Sequence, residues 1–297
     1  MRGQSCPERV DPRPATVRQS DGRVFVRREE LLEETPVSVV INAQAYAVMM
    51  VTPGDLEDFL FGFLFSDGLI GKAADVLAWE MVEFRGMYAI YVQLPDAMAR
   101  VARGRARGVI GASGCGLCGV PRIDDRLAVR HKIEIGRRIS VGEISDALQN
   151  MQVRQDINRR TGTAHAAILI GQSEQVVRED IGRHNAVDKV AGWAVRQAWD
   201  LTALRVLAIS SRLTFEIVHK AIRLCVPVVV AISGVSGLAV RTAEEAGITV
   251  IAYAREGRMT IYTHKERMAS MAEGCEIAGS KESAAAMWVT SGPDEGV

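Results

Sequence analysis

The chain has 297 residues, enough for a substantial core in one large or two ordinary domains, and its 48% hydrophobic and 24% charged content is that of a soluble globular protein. Lys and Arg total 36 and Asp and Glu total 36, so the formal net charge is +0, which argues against a dedicated nucleic-acid binder and leaves any anion binding to local clusters. No stretch approaches the ~18 consecutive apolar residues of a membrane span, and residues 1–22 lack the apolar core of a secretory signal, so a cytoplasmic protein without membrane association is expected.

Residues 1–22, rich in Pro and Arg, read as a disordered tail. A smaller α+β domain is predicted over 23–136. It begins with a hairpin, 36–41 and 46–51, turning at Asn42-Ala43-Gln44. Thr52-Pro53-Gly54-Asp55 then offers an N-cap, a proline for the first helical position and an acidic residue three after the cap. Leu56, Phe59, Leu60, Phe63 and Leu64 follow at helical spacing until Gly68. A second hairpin is predicted at 79–84 and 88–94, joined at Arg85-Gly86.

The domain ends in Gly114-Cys115-Gly116-Leu117-Cys118-Gly119, which holds two of the five cysteines. Glycines free the backbone around both sulfurs. Arg100, Arg103, Arg105, Arg107, Arg122 and Arg126 favour thiolate over thiol, so nucleophilic sulfur chemistry is the first reading. The letters also satisfy G-x-G-x-x-G, but Val120-Pro121 follows where a helix is needed, which excludes a dinucleotide turn. A zinc site stays open but ranks below reactive thiols because no second C-x-x-C or H-x3-5-H pair exists, and a structural disulfide ranks last because the composition is that of an intracellular protein. Cys6 and Cys275 read as tail thiols and Cys225 as a buried small hydrophobe.

Over 137–273 the pattern changes to alternating strands and helices. Ser140 and Glu143 form a capping box for a helix running to about Thr161-Gly162. Strands are predicted at 165–170, 176–179, 204–209, 226–232, 248–253 and 259–262, with helices at 185–196, 214–224 and 238–246. The apolar run 227–232 is that of a strand buried on both faces, so this half is read as a three-layer α/β/α sandwich. Residues 274–297 read as a second disordered tail.

Ligands in such sheets bind beyond the carboxyl ends of the strands, where this chain carries Ser210-Ser211-Arg212, Ser233-Gly234 and Ala254-Arg255-Glu256-Gly257-Arg258. A second cluster lies at Arg178–Lys189, where Asn185 is expected to cap a helix and Asp188 to suit its dipole. Arg183, His184 and Lys189 exceed that structural explanation. A helix start beside them serves equally as an anion site or as a solvated, salt-bridged terminus. His165 and His219 read as packed histidines.

Thr52–Asp55 with Gly62–Ser66, Gly114–Gly119, Thr161-Gly162 with His165-Ala166-Ala167, Asp180–Lys189 and Ala243–Thr249 together closely resemble the formate dehydrogenase accessory sulfurtransferase family (FdhD/NarQ), over about residues 34–265. Two stretches depart from its pattern: Ser210-Ser211-Arg212 stands for Ser-Gly-Arg, and Gly234-Val235-Ser236 for Ala-Pro-Thr. The resemblance implies a cytidine-deaminase-like fold. It also implies a sulfurtransferase that takes sulfur from a cysteine desulfurase as a persulfide on Cys115, with Cys118 as its partner. The sulfur passes to the molybdenum bis(molybdopterin guanine dinucleotide) of formate dehydrogenase, held at Tyr253, Ala254, Arg255, Glu256, Gly257 and Arg258, with Arg183 and His184 assisting. GDP is the expected mimic and a homodimer the expected assembly, with no resident metal. Zinc deaminase chemistry is disfavoured, because the His165-Ala166-Ala167 text lacks the acid/base glutamate of H-x-E. The rival class is a non-enzymatic cofactor-binding chaperone whose C-x-x-C is a metal or redox site.

Overall fold

The structure, a computed structural model, describes residues 9–105, 132–134, 136–255 and 257–269. Strands β1 (Val10–Arg18) and β2 (Val24–Leu32) form an antiparallel ribbon. This corrects the reading of 1–22 as a disordered tail over residues 9–22. Gln19 N donates to Arg23 O and Glu33 N to Arg9 O, so the bonded positions of β1 are the odd-numbered ones. Pro12 and Pro14 fall on even positions, where an N–H would point away from β2, and their missing donors cost the ladder nothing.

β3 (Thr35–Ile41) and β4 (Gln44–Val51) form the first predicted hairpin. Its two turn residues, Asn42 and Ala43, have φ of 45° and 64°, the left-handed pair of a type I′ turn. β5 (Ala78–Phe84) and β6 (Met87–Gln93) form the second hairpin, and β6 pairs parallel to β3 to give a four-stranded sheet ordered β4-β3-β6-β5. Between the hairpins, α1 (Leu56–Ser66) buries ten of its eleven residues, as a helix apolar all round must. Its N-cap is Asp55 at φ 50°, and Thr52 is not the cap the sequence suggested. Thr52 is buried and turns its groups to the second half of the chain: Ile181 N donates to its Oγ1, and its carbonyl accepts from Lys189 Nζ. A short helix, α2 (Asp96–Arg103), follows.

The capping box of α3 (Val141–Val153) forms as predicted, with Glu143 N donating to Ser140 Oγ and Ser140 N to Glu143 Oε2. The helix expected to run on to 161 is divided, and α4 (Asp156–Thr161) is a separate turn. Then come β7 (His165–Ile170), β8 (Gln175–Asp180), α5 (Arg183–Arg196), β9 (Val206–Ile209), α6 (Phe215–Arg223), β10 (Val228–Ala231), α7 (Gly237–Ala246), β11 (Thr249–Arg255) and β12 (Arg258–Ile261). They build a six-stranded sheet, β12-β11-β10-β9-β7-β8, whose centre β9-β10-β11 is parallel and whose flanks are antiparallel.

Alternate strand residues face two cores. Ala166, Ile168, Val206, Ala208, Val228 and Val230 meet Ile144 and Met151 of α3. Ala167, Leu169, Leu207, Ile209, Val229 and Val250 meet α5, α6 and α7, so helices cover both faces. The second core continues unbroken into Val37, Val39, Phe59 and Leu64 of the first half. The seam is the crossing of α1 and α5. A Cβ on Gly62 would lie 1.7 Å from Asp188 O, and one on Gly192 1.8 Å from Asp58 O, so only glycine permits this approach.

Candidate functional site

The carboxyl ends of β8, β9, β10 and β11 and the start of β7 all lie along one edge of the six-stranded sheet. This brings Arg183 and His184, at the start of α5, to the same edge as Arg212 after β9 and the turn after β11. His165 stands among them as the partner of Asp180 in the β7–β8 register.

Arg255 pairs with Arg258 across the β11–β12 turn, and both side chains are exposed. Gly257 has φ 73° with no described residue within 4 Å of a Cβ, so backbone conformation is what selects glycine there. Tyr253 is left-handed at φ 53°. Its N–H donates to Ser233 O, and a Cβ on Gly234 would come within 2.9 Å of its hydroxyl. Ala254 is buried in the core facing α3, whereas its neighbours on either side are exposed. Glu256 lies outside the described residues. Arg183, Arg212, Arg255 and Arg258 form no side-chain hydrogen bond or ion pair with any other described residue. Half-buried Arg178 and Arg196 are answered by Asp58 and half-buried Arg205 by Glu143, whereas exposed arginines such as Arg18, Arg28 and Arg241 likewise have no such partner among the described residues, so what sets the four apart is their convergence on one sheet edge.

The cluster at Asp180–Lys189 divides into two functions. Asp180 is fully buried: its carboxylate accepts from Thr52 N at 3.0 Å, Gly182 N at 2.8 Å and Asn185 Nδ2 at 2.9 Å, and meets Lys189 Nζ at 2.7 Å. The N-cap of α5 is Gly182, and Asn185 inside the helix ties Asp180 to Met50 O, which corrects the expected Asn185 cap. Asp188 is likewise no dipole partner. It is buried between Ser66 Oγ and Lys220 Nζ, where burial pushes its carboxyl up against the opposing pull of Lys220. Lys189 is therefore an internal strut and not a ligand group.

Arg183 and His184 remain outside this scaffold. His184 is 3% exposed, and neither ring nitrogen has a partner among the described residues. Burial, then Lys220, Arg183 and His165, lower it to about 3, so the ring is neutral at physiological pH. His165 is half-buried and lowered first by burial and then by Arg183, partly offset by Asp180, with Arg212 adding to the lowering. Both guanidiniums are thus within electrostatic reach of that ring. His219 packs against Phe215, with 6.1 Å between ring centroids.

Cys115 and Cys118 lie outside the described residues. The flanks of their segment are anchored at the opposite, amino edge of the parallel strands. Arg105 Nη1 donates to Asp67 O, Ile133 N to Ala246 O at the end of α7, and Arg267 Nη2 to Glu134 O. A cavity of about 420 Å³ opens at that edge between Ile133, Arg137, Thr202, Arg205, Cys225 and Val228. Cys225 is exposed at φ 57°, which corrects its reading as a buried hydrophobe: the α6–β10 turn lifts it out of the strand that follows. Among the described residues no helix is long and apolar enough to cross a membrane, and no group of three His, Cys, Asp or Glu is placed to hold a metal.

Of the residues expected at the site from sequence, the structure places Arg183, His184, Arg212 and the described part of the 253–258 turn along one sheet edge. Sequence reasoning did not single out Thr214, the N-cap residue of α6 whose buried Oγ1 has no partner among the described residues, or Lys220, which reaches Asp188 from a neighbouring helix. Neither stands in a motif, and only the packing of α6 beside α5 reveals them.

The profile of the FdhD/NarQ family matches residues 32–269. The chain is 34% identical over 256 residues to the sulfur carrier protein FdhD of Cupriavidus necator, covering 86% of this chain and 88% of that protein. It is 35% identical over 271 residues to the sulfur carrier protein FdhD of Xanthomonas axonopodis pv. citri, covering 89% and 96%. A solved structure described as a formate dehydrogenase accessory protein, from Desulfotalea psychrophila, superposes with a TM-score of 0.69 at 24% identity, over 88% of this chain and 100% of that one, and so shares its fold. By profile and by relatives alike, the chain belongs to the FdhD/NarQ family.

Proposed function

We propose that the protein is a sulfur carrier serving formate dehydrogenase, a cytoplasmic sulfurtransferase that delivers sulfur to the enzyme's molybdenum bis(molybdopterin guanine dinucleotide). The relatives named as sulfur carriers support the role, and the α/β/α layering supports the cytidine-deaminase-like reading of the second half. In this account the Cys115 thiolate attacks the terminal sulfur of a persulfide on a cysteine desulfurase, releasing that enzyme's thiolate. Cys118 then attacks the inner sulfur of the Cys115 persulfide, forming a disulfide and expelling hydrosulfide towards the acceptor, and a cellular dithiol resets the pair.

The observation that carries the cofactor assignment is the row of unpaired arginines. A chain of net charge +0 keeps Arg183, Arg212, Arg255 and Arg258 without partners among the described residues along one sheet edge. A dinucleotide pterin brings several phosphates, and guanidinium forks bind them bidentately. Arg255, Gly257 and Arg258 take the phosphates of the guanine-nucleotide end, Tyr253 borders it, and Ala254 anchors the turn in the core. Calorimetric titration of GDP tests this. Arg258→Ala is expected to lose roughly 1.5–3 kcal/mol, the scale of a hydrogen bond to a charged group. Unchanged affinity places the phosphates elsewhere. A homodimer joins through the apolar surface of the second hairpin, where Val82, Phe84, Met87 and Tyr91 are exposed, and light scattering reads the mass.

A further inference from the structure

Buried polar atoms without partners concentrate at one corner of the molecule. Among the described residues there are seven such side-chain atoms, and four of them, Arg183 Nε, both ring nitrogens of His184 and Thr214 Oγ1, stand where α5 and α6 begin. A buried group without a hydrogen bond costs about 1–3 kcal/mol, so four at one corner mark a place prepared for something that bonds to them.

The set is mixed in character. A neutral imidazole offers one N–H and one bare nitrogen, threonine donates and accepts, and arginine donates. Phosphate presents acceptors only and leaves the bare imidazole nitrogen unsatisfied. The 2-amino-4-oxopyrimidine edge, common to guanine and pterin, presents a carbonyl acceptor beside N–H and NH₂ donors. Position agrees with chemistry: from β11, which leads into the Arg255–Arg258 turn, to β8, which leads into Arg183, is four strand intervals in the order β11-β10-β9-β7-β8. At the usual spacing the strand ends stand about 19 Å apart, and the long side chains of Arg183 at one end and Arg255 and Arg258 at the other narrow the gap that a nucleotide must bridge from base to phosphate.

We infer that Arg183, His184 and Thr214 form a subsite that reads the 2-amino-4-oxopyrimidine edge of a guanine or pterin, with half-buried Arg183 turning aside to admit it. The inference rests on the reading of this edge as the cofactor site, and it assigns the corner to a base and the Arg255–Arg258 turn to phosphate.

The test is calorimetry on the full chain with GDP, ADP, inorganic pyrophosphate and 6-hydroxymethylpterin as probes, using wild type, His184→Ala, His184→Gln and Arg258→Ala, each checked by its melting curve. Wild type is expected to prefer GDP to ADP by about tenfold or more. His184→Ala loses that preference while binding pyrophosphate as before, and His184→Gln, which keeps a donor and an acceptor, regains part of it. If the corner takes the pterin end, His184→Ala loses 6-hydroxymethylpterin instead, with the GDP preference intact. If His184→Ala alters neither probe, the inference is overturned, while pyrophosphate binding lost in Arg258→Ala still upholds the phosphate turn. Wild type that binds none of the four overturns both. As a second readout, the imidazole ¹⁵N signals of His184 shift on adding GDP or pterin and stay fixed on adding pyrophosphate.

Discussion

Lys189 Nζ lies 2.7 Å from Asp180 Oδ2, with the two side chains 1% and 0% exposed, and the same ammonium donates to Thr52 O at 2.9 Å and Glu179 O at 3.3 Å. Five polar groups, Thr52 N and O, Glu179 O, Gly182 N and Asn185 Nδ2, thus close over one buried charge pair and fix the start of α5, which presents Arg183 and His184. Removing one partner strands the other charge, which costs about 3–5 kcal/mol. Lys189→Met is expected to lose that much stability in urea unfolding, and Lys189→Met with Asp180→Leu to regain a large part. A loss below about 1 kcal/mol for the single variant would contradict a strut role.

The α1–α5 crossing makes a second prediction. Alanine at Gly62 places a methyl carbon 1.7 Å from Asp188 O, a backbone atom that moves only if a helix moves. Gly62→Ala and Gly192→Ala are each expected to cost about 1–3 kcal/mol or more, as overpacked cores do. Alanine at Gly86, where no described residue lies within 4 Å of a Cβ, separates turn strain from helix clash. The account predicts that it loses clearly less stability than either crossing variant.

His184 links stability to pH. Its folded value, about 3, lies below the unfolded 6.5, so between these values the unfolded chain binds the extra proton and stability falls as pH is lowered. The slope from this group is at most about 1.4 kcal/mol per pH unit and begins near pH 6.5. Asp188 and Glu179, both raised by burial, act with the opposite sign, so the difference between wild type and His184→Gln isolates the histidine. Chemical denaturation at pH 7, 6 and 5 is expected to show wild type losing stability relative to His184→Gln with acidification. A constant gap indicates that the ring is not buried neutral.

Much of the architecture was legible because its signals are local. Both hairpins of the first half, the Ser140–Glu143 capping box and the strand–helix alternation after residue 165 need only neighbours within a few positions. What failed were assignments in which a local rule competes with a distant partner. Thr52 was read as a cap, but Thr52 N donates to Asp180 across 128 positions, and Asn185 likewise bonds Met50 O across 135. Pro12 and Pro14 argued against a strand because edge and parity are invisible before the ladder is known. The candidate site was legible in its arginines, the residue type suited to anions. Its orphaned polar atoms were not, since absence of a partner is a property of packing.

The central claim, that Cys115 carries transferable sulfur, is tested most directly by mass spectrometry after incubation with a cysteine desulfurase and cysteine. The account predicts a cyanolysable gain of about 32 Da on the Cys115 peptide in wild type and in Cys118→Ser, and none in Cys115→Ala. A Cys115→Ala protein that still carries that sulfur and delivers it to formate dehydrogenase would contradict it.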